Sequence, residues 1–179
     1  TTLAYVKKHF PSVNVYIPQL PGDITQAVNI IDSLVNTLPI GRTGFIGSSM
    51  GGFLSTYCIE KYGAQNETTD LPKAVIINPA VEPHKLLADY VGSHVNPYTK
   101  EVFNVHQNHL NILKHLYVNK LLKPQRYKVL LQKGDETLDY KLAEKKYAAS
   151  NLHIEDGGDH SFIDYGRHLP SILKFLISR

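Results

Sequence analysis

Residues 44–53 read GFIGSSMGGF, an apolar run that breaks into paired serines fenced by Gly47, Gly51 and Gly52. The stretch fits G-x-S-x-G only with Ser49 at its centre. Ser48 has Ile46 two residues before it and Met50 two after, and fails the pattern. A side chain held on a sharp strand-to-helix turn strains its own backbone, and the chain crowds itself two residues to either side. Glycine at 47 and 51 is therefore expected to remove side chains that would collide. An apolar strand precedes the motif and the helical pattern FLSTYCIEKYG follows it. That setting marks Ser49 as a candidate nucleophile. It also puts the Met50 N–H at a helix N-terminus, where developing negative charge is stabilised.

Outward from this turn, short β-rich runs alternate with helical patterns. VNVYI (13–17), TGFIG (43–47), AVIIN (74–78), YKVLLQ (127–132) and NLHIE (151–155) are bounded by Pro, Gly, Asn or Asp and read as strands. Several are apolar almost throughout, as strands covered on both faces are. Asp23 can cap a helix whose apolar positions, Ile24, Ala27, Val28, Ile31, Leu34, Val35 and Leu38, line one face. Residues 138–149 and 169–178 complete the helical set. Such alternation predicts an α/β fold with a mostly parallel sheet and flanking helices. Residues 82–124 break the rhythm with PHKLLADYVG, NPY and a helical run, HLNILKHLYVNKLL, and no obvious strand. This reads as a small helical cap insertion over the strand ends, where ligands bind in open α/β sheets.

A serine nucleophile needs a base and an acid to orient it. Of nine histidines, His160 stands in EDGGDHSF, a glycine-bearing loop between the last strand and the last helix. The acid should follow the preceding strand, where LLQKGDETLDY offers Asp135, Glu136 and Asp139. Asp135 comes first, and Asp139 suits the first turn of the next helix. The order Ser49, Asp135, His160 is that of the α/β-hydrolase fold. His106 and His109 form an H-x-x-H pair without further ligands, which reads as a solvated helix face. His9, His84, His94, His115, His153 and His168 have no supporting context in the sequence. The chemistry expected of the triad needs no cofactor and no metal.

Bulk composition is compatible with one domain over residues 1–179. With 42% hydrophobic residues the chain can bury a substantial core. The net charge of +3 comes without a dense basic run, which argues against nucleic acid. No apolar stretch is long enough to span a membrane. One cysteine, Cys58, permits no intrachain disulfide and leaves the cytoplasm as the expected location.

Beyond the triad, VYIPQLP (15–21), IGSSMGG (46–52), VIINPAVEPHKLLADYVG (75–92), NPYT (96–99), GDETLDY (134–140) and EDGGDHSF (155–162) resemble the YqiA-type esterases. These are small bacterial α/β-hydrolases formerly grouped as an uncharacterised protein family. The resemblance implies cleavage of short acyl esters by a monomer or small homo-oligomer, with Ser49, Asp135 and His160 in the roles above. Asn78, Tyr90, Tyr98 and Phe103 are candidates for the acyl pocket. Thioester cleavage or acyl transfer by the same triad is the alternative within enzymes, and a non-catalytic ligand-binding module the alternative outside them. Family members begin with a strand carrying Y-L-H-G-F, whose loop supplies a second oxyanion donor. That strand and loop are expected to be absent from these residues, which would leave a gap in the sheet between VNVYI and the nucleophile strand.

Overall fold

The computed structural model describes residues 1–64, 71–95 and 102–178. Four parallel strands form the main sheet: β1 (Gly44–Ser49), β2 (Lys73–Pro79), β5 (Tyr127–Gln132) and β6 (Asn151–Glu155), side by side in that order. The central pair is apolar on both faces because both are covered. Ala74 and Ile76 of β2, with Tyr127, Val129 and Leu131 of β5, pack on α3 (Met50–Ala64) and α6 (Tyr140–Lys146) through Ile59, Ala143 and Tyr147. The alternate residues Val75, Ile77 and Leu130 face α1 (Thr2–His9) and α7 (Leu169–Ile177) through Val6, Leu169, Ile172 and Leu173. Period-two alternation along each strand thus builds three layers. Among the described residues no helix is long and apolar enough to cross a membrane.

The helix expected after Asp23 is α2 (Ile24–Val35), and Asp23 caps it by accepting from the Gln26 N–H at 2.9 Å. Asp139 caps α6 in the same way, accepting from Lys141 N–H at 3.0 Å.

Two expectations are corrected. Residues 13–17 are not a strand. β-forming side chains make a strand only when the backbone finds a partner, and among the described residues nothing pairs with this segment. Val15 rests on the α1–α7 side of the core, while Tyr16 and Ile17 are 53% and 71% exposed. Nor is the insertion free of strands. After α4 (Pro83–Leu86), β3 (Gly92–Val95) and β4 (Val102–Val105) pair antiparallel, separate from the main sheet. Helix α5 (Gln107–Leu116) follows and buries Leu113 and Leu116 against Ile24 and Val28 of α2 and Phe53 and Leu54 of α3. The insertion is thereby anchored on the helices beside the turn at Ser49.

Candidate active site

Strand β1 runs in register with β2 from Gly44↔Lys73 to Ser48↔Ile77, then slips so that Ser49 faces Pro79. A slip of this kind ends the ladder and re-aims the side chain at its tip. Ser49 adopts φ +53°, in the left-handed region, and α3 begins at the next residue. A non-glycine residue held there costs on the order of 1–3 kcal/mol. The turn is tight for a visible reason: a Cβ on Gly47 would come 2.1 Å from the Gly51 carbonyl oxygen and 2.5 Å from Ser55 Oγ. The second expected clash is absent. A Cβ on Gly51 would meet nothing within 4 Å, whereas one on Gly52 would sit 2.7 Å from Pro79 Cβ. The crowding behind the turn thus falls one residue later than the motif suggests, where α3 crosses the end of β2. The Met50 N–H, in the first turn of α3, has no partner within the helix.

The structure brings Ser49, His160 and Asp135 together. His160 Nε2 lies 3.1 Å from Ser49 Oγ. On the far side of the ring, Nδ1 lies 2.9 Å from Asp135 Oδ2 and 3.0 Å from Oδ1. The Asp135 side chain is 2% exposed, and its Oδ1 also accepts the N–H groups of Thr137 and Leu138 at 2.9 and 2.8 Å. Those bonds fix the position of the carboxylate. Glu136, the neighbouring acid, accepts the backbone N–H of His160 at 3.0 Å through Oε2. It holds the loop, while Asp135 holds the ring.

Asn78 is not a pocket wall. It is 2% exposed, at φ +36°, at the register slip opposite Ser49. Its Oδ1 accepts the Gln132 N–H at 3.0 Å, and its Nδ2 donates to the carbonyls of Asp159 and His160 at 2.9 and 3.3 Å. A side chain with both ends of its amide engaged inward cannot also face a ligand. Gln132, which the sequence reading passed over, does the same from β5. Its Oε1 accepts from Asp159 N–H at 3.2 Å and Ile163 N–H at 2.9 Å, and its Nε2 donates to Ile163 O at 3.0 Å. Two buried amides therefore hold the loop that carries His160. The only hint in the sequence is a polar residue ending each of two apolar strands.

Tyr90 is half-exposed on a single 3-10 turn, Ala88–Tyr90. Tyr98 lies outside the described residues, and for Phe103 the backbone alone is described, in β4 opposite His94. A cleft of about 300 Å³ is lined by Ile46, Ser48, Ile77, Ser161 and Tyr165, two of which adjoin Ser49 and His160 in the chain. Among the described residues, His106 and His109 join no group of three possible metal ligands. His109 Nε2 instead lies 3.2 Å from Asp23 Oδ2 and ties the insertion to the cap of α2.

Residues 1–177 match the model of an uncharacterised protein family, UPF0227. The chain belongs to that family. This UPF0227 member also shares its fold with solved α/β-hydrolase structures. A protein provisionally assigned as a hydrolase, from Agrobacterium vitis S4, superposes with a TM-score of 0.66 at 18% identity, over 87% of this chain and 69% of that one. Alpha/beta hydrolase domain-containing protein 10 from mouse gives 0.56 at 16% identity, over 84% and 66%. Est1E from Butyrivibrio proteoclasticus, solved with ferulic acid bound, gives 0.56 at 10%, again over 84% and 66%. The fold of the UPF0227 member is that of an α/β-hydrolase.

Proposed function

We propose that this UPF0227 member is a serine hydrolase that cleaves short acyl esters through an acyl-serine intermediate. The observation that carries the reading is the continuous line from Ser49 Oγ through both nitrogens of His160 to the buried Asp135 carboxylate. As His160 Nε2 takes the hydroxyl proton, Ser49 Oγ bonds to the ester carbonyl carbon. The carbonyl oxygen gains negative charge, which faces the Met50 N–H. Collapse of the tetrahedral species breaks the ester C–O bond, and His160 returns its proton to the departing alcohol. Water then attacks the acyl carbon, giving its proton to His160; collapse breaks the bond to Ser49 Oγ, which takes that proton back from His160, and the carboxylic acid leaves. Asp135 keeps Nδ1 protonated so that Nε2 presents a lone pair to Ser49, and it stabilises the imidazolium formed in each half-reaction.

Binding of the acyl chain is assigned to the cleft bounded by Ile46 and Ile77, whose apolar side chains suit a short hydrocarbon. The alcohol side leaves past Ser161 and Tyr165. Covalent labelling by a fluorophosphonate tests the reading: the wild type labels, and Ser49→Ala does not. Turnover of a graded series of aryl esters falls by about 10⁴-fold or more in that variant. Equal labelling of both proteins rejects Ser49 as the nucleophile.

A further inference from the structure

His153 and His168 stand apart in sequence, and folding joins them. His153 and Glu155 occupy alternate positions of β6, so both project from one face of the strand. His168 ends the 3-10 turn that leads into α7. His153 Nε2 lies 2.9 Å from Glu155 Oε1, and His168 Nε2 lies 3.0 Å from the same oxygen. All three atoms fall within 4.8 Å of one another.

We propose that His153, Glu155 and His168 form a binding site for a divalent transition-metal ion of the zinc class. Two imidazole nitrogens and one carboxylate oxygen are a donor set that zinc favours. With bonds of about 2.0–2.2 Å, tetrahedral ligands stand roughly 3.3–3.5 Å apart, so each histidine need draw back from Glu155 Oε1 by only about half an ångström. Glu155 is already aimed. Its other oxygen, Oε2, accepts from Gln132 Nε2 at 2.9 Å and Arg167 Nη2 at 2.5 Å, outer bonds that leave Oε1 to the ion. Burial alone would raise the Glu155 pKa, but the bonds from Gln132, Arg167 and His153 hold it down at about 2, so the ligand is a carboxylate. Burial also keeps His168 below the usual histidine range, in the neutral form that ligates. The His153 side chain is 47% exposed, which leaves the fourth position to water. Arg167 Nε donates to His168 Nε2 at 3.2 Å, a bond that the ion replaces while Nη2 keeps its hold on Glu155 Oε2.

The site closes on the loop that carries His160. Glu155 ends the strand before that loop and His168 ends the turn after it, so a bound ion staples its two ends. Binding is measured by titrating zinc into the metal-stripped protein against a chromogenic chelator, with cobalt absorption as a second readout. The expected result is one equivalent bound, with affinity lowered by more than about 100-fold in His153→Ala and in His168→Ala, beyond the loss from even an outer-sphere partner. His109→Ala, which alters the other histidine pair, leaves affinity unchanged. Zinc raises the melting temperature of the wild type and not that of His153→Ala, an exposed position whose variant keeps its fold by circular dichroism. No saturable binding, or binding that persists in both His153→Ala and His168→Ala, overturns the proposal. So does binding that is lost only in His109→Ala.

Discussion

At position 47 there is no room for a methyl group, because the carbonyl of Gly51 occupies the space a Cβ would fill. The two atoms belong to successive turns of one short segment, so neither can retreat without unwinding the turn that lifts Ser49. Gly47→Ala is therefore expected to cost at least about 1–3 kcal/mol, as overpacking does, and to abolish fluorophosphonate labelling. Gly51→Ala puts its methyl into open space and should stay within about 0.5 kcal/mol of wild type, with labelling intact. Urea denaturation of the two variants checks both statements, and equal losses would show that the motif's two glycines are equivalent. The same scale explains why Asn78 reads wrongly from its position alone. Strand ends near a nucleophile usually face a ligand, but a register slip and φ +36° turn this side chain inward to the loop.

Among elements, β1 differs from its neighbours. Strands β2 and β5 are paired on both sides, while β1 has a partner only in β2 among the described residues. Its Ile46 is 37% exposed beside the cleft, whereas Ile76 and Val129 in the central strands are fully buried. An edge with free N–H groups opens locally at low cost. Amide exchange is thus expected to be faster in the two edge strands, β1 and β6, than in β2 and β5, with Ile76 and Val129 exchanging only on global unfolding. Protection in β1 equal to that in β2 would mean that its outer edge is covered. The segment 13–17, with Tyr16 and Ile17 turned to solvent, shows how the pairing decides the element. The side chains are those of a strand, but among the described residues the backbone has no ladder to join.

For the molecule as a whole, stability at alkaline pH is tied to Lys146. Its ammonium donates to the Val118 carbonyl and stands 4.4 Å over the Tyr117 ring, at the seam between α6 and the end of the insertion. Burial lowers its pKa from 10.5 to about 8. Between those values the unfolded chain holds a proton that the folded protein has released. Stability attributable to this group therefore rises with pH from about 8 to 10. Denaturation midpoints of wild type minus Lys146→Met, followed across that window, should climb. A flat difference would mean that the amine is solvated. Tyr127 and Tyr147, pushed upward by burial, oppose the trend only above their usual range near 10, which the difference between the two proteins removes.

The sequence alone determined what depends on near neighbours. Gly47, Ser49 and the helical run that follows specify a strand-turn-helix because the steric demand acts within a few residues. Ser49, Asp135 and His160 mark the ends of β1, β5 and β6 in chain order, and the α/β alternation follows from burial on one face or two. The tertiary structure decided what depends on residues far apart. Asn78 and Gln132 became supports of the loop that carries His160, and His153, Glu155 and His168 became one cluster, because the packing of the sheet and of the turn before α7 brings them together. The fate of 13–17 was settled in the same way, since a strand exists only where another backbone offers the donors and acceptors it must satisfy.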